Sequence, residues 1–195
     1  MAAETAGGIP EWQWQAWSAG DRAEPLVRDW LASRLDRAPA AIELSRDAHG
    51  RPRLAPAYRG DVSWSHSGNG LVMAFARAAR VGIDLERERP RPRALALARR
   101  FFPDSEAEWL QAQDGEAARS VAFLRLWCAR EAVLKAHGRG LAFGLDRLAF
   151  AEHAGALVLV AADPALGPAA AWRLHEFVPR PGYRAAIAWK PADAP

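Results

Sequence analysis

The stretch from Glu116 to His137 constrains the fold more than any other part of this chain. Val121, Leu124, Trp127, Cys128, Val133 and Leu134 keep much of one side apolar at helical spacing. Gly138 and Gly140 follow, residues that accept the left-handed conformation in which helices end. The residues around Glu131 and Lys135 are nearly all apolar, so this long helix is expected to lie mostly buried. Glu131 and Lys135 stand one turn apart within it. On an exposed helix such a pair is an ordinary salt bridge worth about 0.3–0.5 kcal/mol. In a buried helix an unpaired carboxylate costs far more than such a bridge returns.

The other segments supply the layers. Trp12, Trp14 and Trp17 suggest a short edge strand, and Glu24 to Leu35 repeats at helical spacing through Leu26, Val27, Trp30, Leu31 and Leu35. Asp47 to Pro52 is a turn by composition. Residues 61–86 read as β structure: Val62 and Trp64 alternate with Ser63 and Ser65, Gly68-Asn69-Gly70 turns the chain, and Leu71–Ala76 and Val81–Leu85 are short strands. Arg93 to Phe102 is helical, and Ser105 with Glu108 could open the next helix as a capping box. Strands are expected at Leu145–Phe150, Ala156–Ala161, Ala171–Phe177 and Tyr183–Trp189. Gly70–Ala76 and Gly182–Ala188 are each a glycine followed by a closing apolar strand, which two packed α+β halves would explain.

A chain of 195 residues fits one domain or two small subdomains. With Cys128 as the single cysteine, neither an internal disulfide nor a thiolate metal cluster can form; inside a helix the thiol reads as buried and inert. Residues 1–10 lack the basic and apolar regions of a signal peptide, and no segment approaches the roughly 20 apolar residues of a membrane span. A cytoplasmic location without membrane contact is the expectation. The net charge of +3, carried mostly by arginine, suits phosphate-bearing ligands or an acidic partner; no basic stripe interleaved with aromatics points to nucleic acid. The run Arg87–Arg93, broken by Glu88, Pro90 and Pro92, reads as a solvated loop.

Three segments carry chemistry. In Gly82-Ile83-Asp84-Leu85-Glu86 the two carboxylates share one face of a strand, either as a solvated strand end or with a cation between them. A cation held jointly by Asp84, Glu86 and Glu131 would also account for the buried Glu131. Oxygen ligands alone suit a hard ion such as magnesium, which shares its coordination with substrate phosphates. Ser63-Trp64-Ser65-His66-Ser67-Gly68 gathers hydroxyls, an imidazole and turn amides, groups that bind phosphate. A serine–histidine nucleophilic pair is the rival, but adjacent strand residues point to opposite faces.

Together with Gly50-Arg51-Pro52, Trp127–Lys135 and Gly138-Arg139-Gly140-Leu141, these segments resemble the 4′-phosphopantetheinyl transferases, specifically the surfactin-synthetase-activating (Sfp-like) branch. The resemblance covers residues 45–190. It implies an α+β fold: a pseudo-two-fold monomer of two similar α/β halves, each with a small antiparallel sheet packed on helices. Residues 1–80 would form the half on the adenine and 3′-phosphate side of a coenzyme A cleft, and residues 81–195 the half carrying the metal ligands and catalytic helix. Asp84, Glu86 and Glu131 would hold Mg2+ against the coenzyme A pyrophosphate. Lys135 would bind the same phosphates, Ser65 and His66 the 3′-phosphate, and Gly50, Arg51 and Pro52 would line the adenine end. Asp84, Glu131 and Lys135 would be catalytic. Arg22 and Arg28 are candidates for further phosphate contacts, and Arg51 and Arg130 stand where lysine is common. The implied partners are coenzyme A and an apo acyl or peptidyl carrier protein, received by the segment Arg93–Trp109. A relative that binds coenzyme A or the carrier without catalysis is the alternative; a magnesium-dependent phosphohydrolase would need a water-positioning motif that is not seen.

Overall fold

A computed structural model describes residues 8–18 and 20–192. The protein is α+β, with small antiparallel sheets packed on helices. Strand β1 (Glu11–Ala16) leads to helix α1 (Ala23–Leu35), and β2 (Leu44–Arg46) and β3 (Pro52–Leu54) form a hairpin. Strands β4 (Gly60–Ser67), β5 (Gly70–Arg77) and β6 (Ala79–Arg87) follow almost without interruption. Helices α2 (Ala94–Phe101), α3 (Asp104–Gln111) and α4 (Gly115–His137) come next, then the hairpin β7 (Leu148–His153) and β8 (Ala156–Ala162), and finally β9 (Arg173–Phe177) and β10 (Tyr183–Pro191).

Two three-stranded sheets, ordered β1-β5-β4 and β6-β10-β9, pack face to face. Strand β5 shows why. Leu71, Met73 and Phe75 point to Val27, Trp30 and Leu31 of α1, while Val72, Ala74 and Ala76 point to Val81, Ile83 and Leu85 of β6 and Ile187 of β10. A strand buried on both faces loses the polar alternation of a surface strand, and β5 is apolar from Leu71 to Ala76. Helix α4 covers the outer face of the second sheet, against Ala186 and Ala188. The layers therefore run α1, first sheet, second sheet, α4. Small residues set the approach of α4: a Cβ on Gly82 would collide with the Ala132 carbonyl oxygen and the Ala136 amide.

The seam between β4 and β6 is closed by side chains in place of a backbone ladder. Every second residue of β4 reaches across it. Val81 N–H donates to Asp61 Oδ2 (2.8 Å), Ile83 N–H to Ser63 Oγ (3.2 Å) and Arg87 N–H to Ser67 Oγ (3.1 Å). Arg51 closes the same seam from one end. It pairs with both oxygens of Asp61 and donates to the carbonyls of Lys135 (2.7 Å) and Val81 (3.1 Å).

Most elements lie where the sequence places them, with local differences; β9, for one, starts at Arg173 instead of Ala171 because Ala169–Ala171 form a 3-10 turn. The proposed capping box does not form: α3 starts at Asp104 behind Pro103, with no side-chain cap, so Ser105 already sits inside the first turn. Strand β7 begins at Leu148, because Gly140–Phe143 and the turn behind it use up the residues before it. The hairpin β2–β3 carries no periodic signal over its three-residue strands. Trp12 and Trp14 do lie on the edge strand β1; Trp17 falls just beyond it, its N–H donating to the Asn69 carbonyl (3.0 Å).

Candidate active site

On β6, Gly82, Asp84 and Glu86 share the face turned to α4. The glycine brings the helix close, and the two carboxylates then stand beside Cys128, Glu131 and Lys135. Lys135 does not pair with Glu131 along the helix. Its ammonium donates to Asp84 Oδ1 (2.6 Å) and to Ser65 Oγ (2.7 Å), and the Ser65 hydroxyl donates to the same Asp84 oxygen (2.8 Å). Asp84 is 4% exposed. Glu86 Oε2 accepts from Ser67 Oγ (3.3 Å) and Arg91 Nη2 (3.0 Å).

The electrostatics show that the three carboxylates crowd one another. Burial, then the neighbouring Asp84, pushes the Glu131 carboxyl up to about 7 against the pull of Lys135. Burial and Asp84 also raise Glu86, against Arg91 and Ser67. Burial pushes the Cys128 thiol far up, with Asp84 and Glu86 adding to it; its S–H faces the Arg184 carbonyl at 3.6 Å. Such a thiol is inert at neutral pH.

Among the described residues no three acidic, histidine or cysteine side chains are drawn into a closed metal cage. The donor set nevertheless fits a hard cation. Asp84 Oδ2 and Glu131 Oε1 are buried without a hydrogen-bond partner, an arrangement that is expensive unless a cation answers it. All three candidates offer oxygen, the donor atom magnesium prefers.

Two adjoining clefts open beside this cluster. One, of about 210 Å³, is lined by Gly50, Arg51, Pro52, Trp64, Lys135 and Gly138 among others. The next, of about 270 Å³, includes Trp17, Arg22 and His66, and Arg46 and Trp64 border both. His66 is exposed and stacks on Trp17 with ring centroids 4.1 Å apart, while Ser65 turns inward to Asp84, so no serine–histidine pair forms. Arg22 lines the second cleft. Arg28 does not reach it: its guanidinium binds Glu24 (3.0 Å) and the Ile42 carbonyl.

Arg130 also differs from expectation. It is 0% exposed on the far side of α4 from Lys135's partners, paired with Glu106, donating to the Leu145 (3.1 Å) and Leu148 (3.1 Å) carbonyls, and lying over Phe102 (3.9 Å). It holds α3 and β7 to α4 and has no route to a nucleotide. Ser67 and Arg91 bond Glu86, and Arg46 borders both clefts; the sequence reading counted Ser67 only among phosphate-binding hydroxyls and singled out neither arginine. Ser67 was legible as the next inward position after Ser63 and Ser65. Arg91 was hidden in a run read as solvated loop; its backbone N–H is held by Ser120 Oγ (3.0 Å) on α4.

Residues 80–188, more than half of the chain, match the family profile described as the 4′-phosphopantetheinyl transferase superfamily. The chain is 33% identical over 175 residues to the 4′-phosphopantetheinyl transferase HetI of Nostoc sp., an alignment covering 85% of this chain and 70% of the relative. It is 32% identical over 125 residues to slr0495 of Synechocystis sp., provisionally named a 4′-phosphopantetheinyl transferase, over 63% of this chain and 50% of the relative. A phosphopantetheinyl transferase of Thraustochytrium sp. is 30% identical over 141 residues, 64% of this chain and 48% of the relative. The chain thus spans about half the length of two of these relatives. It belongs to the 4′-phosphopantetheinyl transferase superfamily.

Proposed function

We propose that this protein transfers the 4′-phosphopantetheine group of coenzyme A to a serine of an apo acyl or peptidyl carrier protein, releases 3′,5′-ADP, and depends on magnesium. The placement in the surfactin-synthetase-activating branch and the pairing of half 1–80 with half 81–195 across the cleft belong to the same proposal. One observation carries it: Lys135, Asp84 and two partnerless buried carboxylate oxygens meet beside a cleft that the Gly50–Pro52 turn also lines.

Asp84, Glu86 and Glu131 would hold the metal, which when bound neutralises charge on the pyrophosphate. The carrier serine oxygen forms a bond to the β-phosphorus, and the bond from that phosphorus to the bridging oxygen breaks, leaving the electron pair on 3′,5′-ADP. Lys135 stabilises that departing charge. Glu131 is the candidate base for the serine proton. Gly50, Arg51 and Pro52 border the adenine end, with the Arg51 guanidinium already committed to Asp61. His66, with Arg22 and Arg46, would face the 3′-phosphate; Ser65, turned inward and bonded to Lys135 and Asp84, lines neither cleft and would not touch it.

Helix α2 is the proposed carrier surface. Leu97 and Phe101 are exposed there beside Arg93, Arg99 and Arg100, a pattern complementary to an acidic helix with an apolar face. Charge reversal at Arg99 and Arg100 is expected to weaken carrier binding, and unchanged affinity would remove α2 from this role.

The deciding experiment is intact-protein mass spectrometry of an apo carrier after incubation with this protein, coenzyme A and magnesium. The carrier is expected to gain one phosphopantetheine. The gain should vanish with EDTA and fall about 10²–10⁴-fold in rate in Glu131→Gln. Coenzyme A binding without any gain across acyl, peptidyl and aryl carriers would favour a non-catalytic binding protein, and free phosphopantetheine a hydrolase.

A further inference from the structure

The carboxylates of β6 are anchored by one oxygen each. On Asp84 both hydrogen bonds fall on Oδ1, from Ser65 and Lys135, and Oδ2 is left buried and partnerless. On Glu86 both fall on Oε2, from Ser67 and Arg91, and among the described residues no hydrogen bond reaches Oε1. Each donor to Glu86 is anchored at one point. Ser67 Oγ accepts the Arg87 N–H at 3.1 Å, so its own proton is directed to Glu86. Arg91 is pinned at its backbone, its N–H donating to the buried Ser120 hydroxyl on α4. A carboxylate that takes both of its hydrogen bonds on one oxygen, at 3.0 Å from Arg91 and 3.3 Å from Ser67, leaves its other oxygen available.

We infer that Arg91, with Ser67, is a positioning residue for the metal: it holds Glu86 by Oε2 so that Oε1 is presented to a divalent cation shared with Asp84 and Glu131. This inference rests on reading those three carboxylates as the metal ligands. Hydrogen-bonded partners of metal-ligating groups orient the ligand before the ion arrives, and losing one typically lowers metal affinity about 10–100-fold. Arg91 lies five residues past Glu86, on a segment that turns back toward α4, and so its role depends on that turn. The opposing possibility is that the guanidinium merely competes with the cation for Glu86, in which case removing it would tighten binding.

The test is Mn2+ binding to the full chain, followed by electron paramagnetic resonance and checked by competition with Mg2+. Arg91→Met is expected to weaken Mn2+ binding about tenfold or more. Arg91→Lys, which keeps a donor and the charge but not the planar fork, should weaken binding less than Arg91→Met. In a Glu86→Gln background Arg91→Met should have no further effect, an outcome that a general structural role would not produce. Ser67→Ala should weaken binding in the same direction and carries the test if Arg91→Met does not fold, as judged by melting in EDTA. Unchanged or tighter Mn2+ binding in Arg91→Met and Ser67→Ala, with Glu86→Gln still weakening it, would overturn the positioning role and leave the ligand reading standing. No effect of Glu86→Gln itself would overturn the ligand reading, and the positioning role with it.

Discussion

Arg130 and Lys135 leave the same helix five residues apart and meet opposite fates. Lys135 reaches Asp84 at the cleft, where its side chain stays 27% exposed. Arg130 is sealed against Glu106, two carbonyls and the faces of Phe102 and Phe150. Burial lowers the Arg130 pKa and raises that of Glu106, each opposed by the partner. A buried pair of this kind stabilises only while both members remain. Arg130→Met alone is therefore expected to cost about 3–5 kcal/mol, and the double change with Glu106→Leu markedly less. Chemical denaturation measures both. Coenzyme A affinity in the folded double variant should match the parent, since Arg130 faces the core. Lys135→Met should do the reverse, with a smaller effect on stability than on turnover.

At the scale of the element, β6 shows what a strand next to a helix can encode. Its inner face carries Val81, Ile83 and Leu85 into the inter-sheet core, and its outer face runs Gly82, Asp84, Glu86 under α4. The glycine is needed for approach rather than for backbone freedom: its φ is not in the left-handed region, and the obstacle is helix backbone, which cannot swing aside as a side chain can. Gly82→Ala is expected to destabilise by about 1–3 kcal/mol or more. By pushing α4 outward it should also lengthen the Lys135–Asp84 contact and lower Mn2+ affinity, readable by denaturation and by metal titration. The alternation Ser63, Ser65, Ser67 on β4 would ordinarily mean a wet strand face. Here the hydroxyls are the rungs between two sheets, because each finds a β6 amide or carboxylate to bond.

Across the whole molecule, the stacking of α1, two sheets and α4 forces three carboxylates into one partly buried place, and stability should register it. Glu131 has a folded-state pKa of about 7 against an ordinary value of 4.5. The folded state thus binds a proton that the unfolded state has already released. The contribution is fully present below pH 4.5 and is lost as the pH rises through about 7. Metal-free protein should therefore lose melting temperature between pH 5 and pH 8 through this group, Glu131→Gln should remove that part of the slope, and magnesium should restore stability most at the alkaline end. A Glu131→Gln variant with the parent's pH slope in EDTA would contradict the assignment.

The sequence by itself determined the long buried helix, the strand triplet within residues 61–86, and the idea that Asp84, Glu86 and Glu131 share one environment. Those follow from periodicity and from the expense of burying an unanswered carboxylate, both local properties. It did not determine which cation meets which anion. Glu131 and Lys135 look like partners along the helix, yet Lys135 pairs with Asp84 across the strand; Arg51 and Arg130 carry the same guanidinium as Arg91, yet one ties a seam and one fills a core. Charge pairing depends on distances of a few ångströms between elements far apart in the chain, and only the packed structure sets those distances.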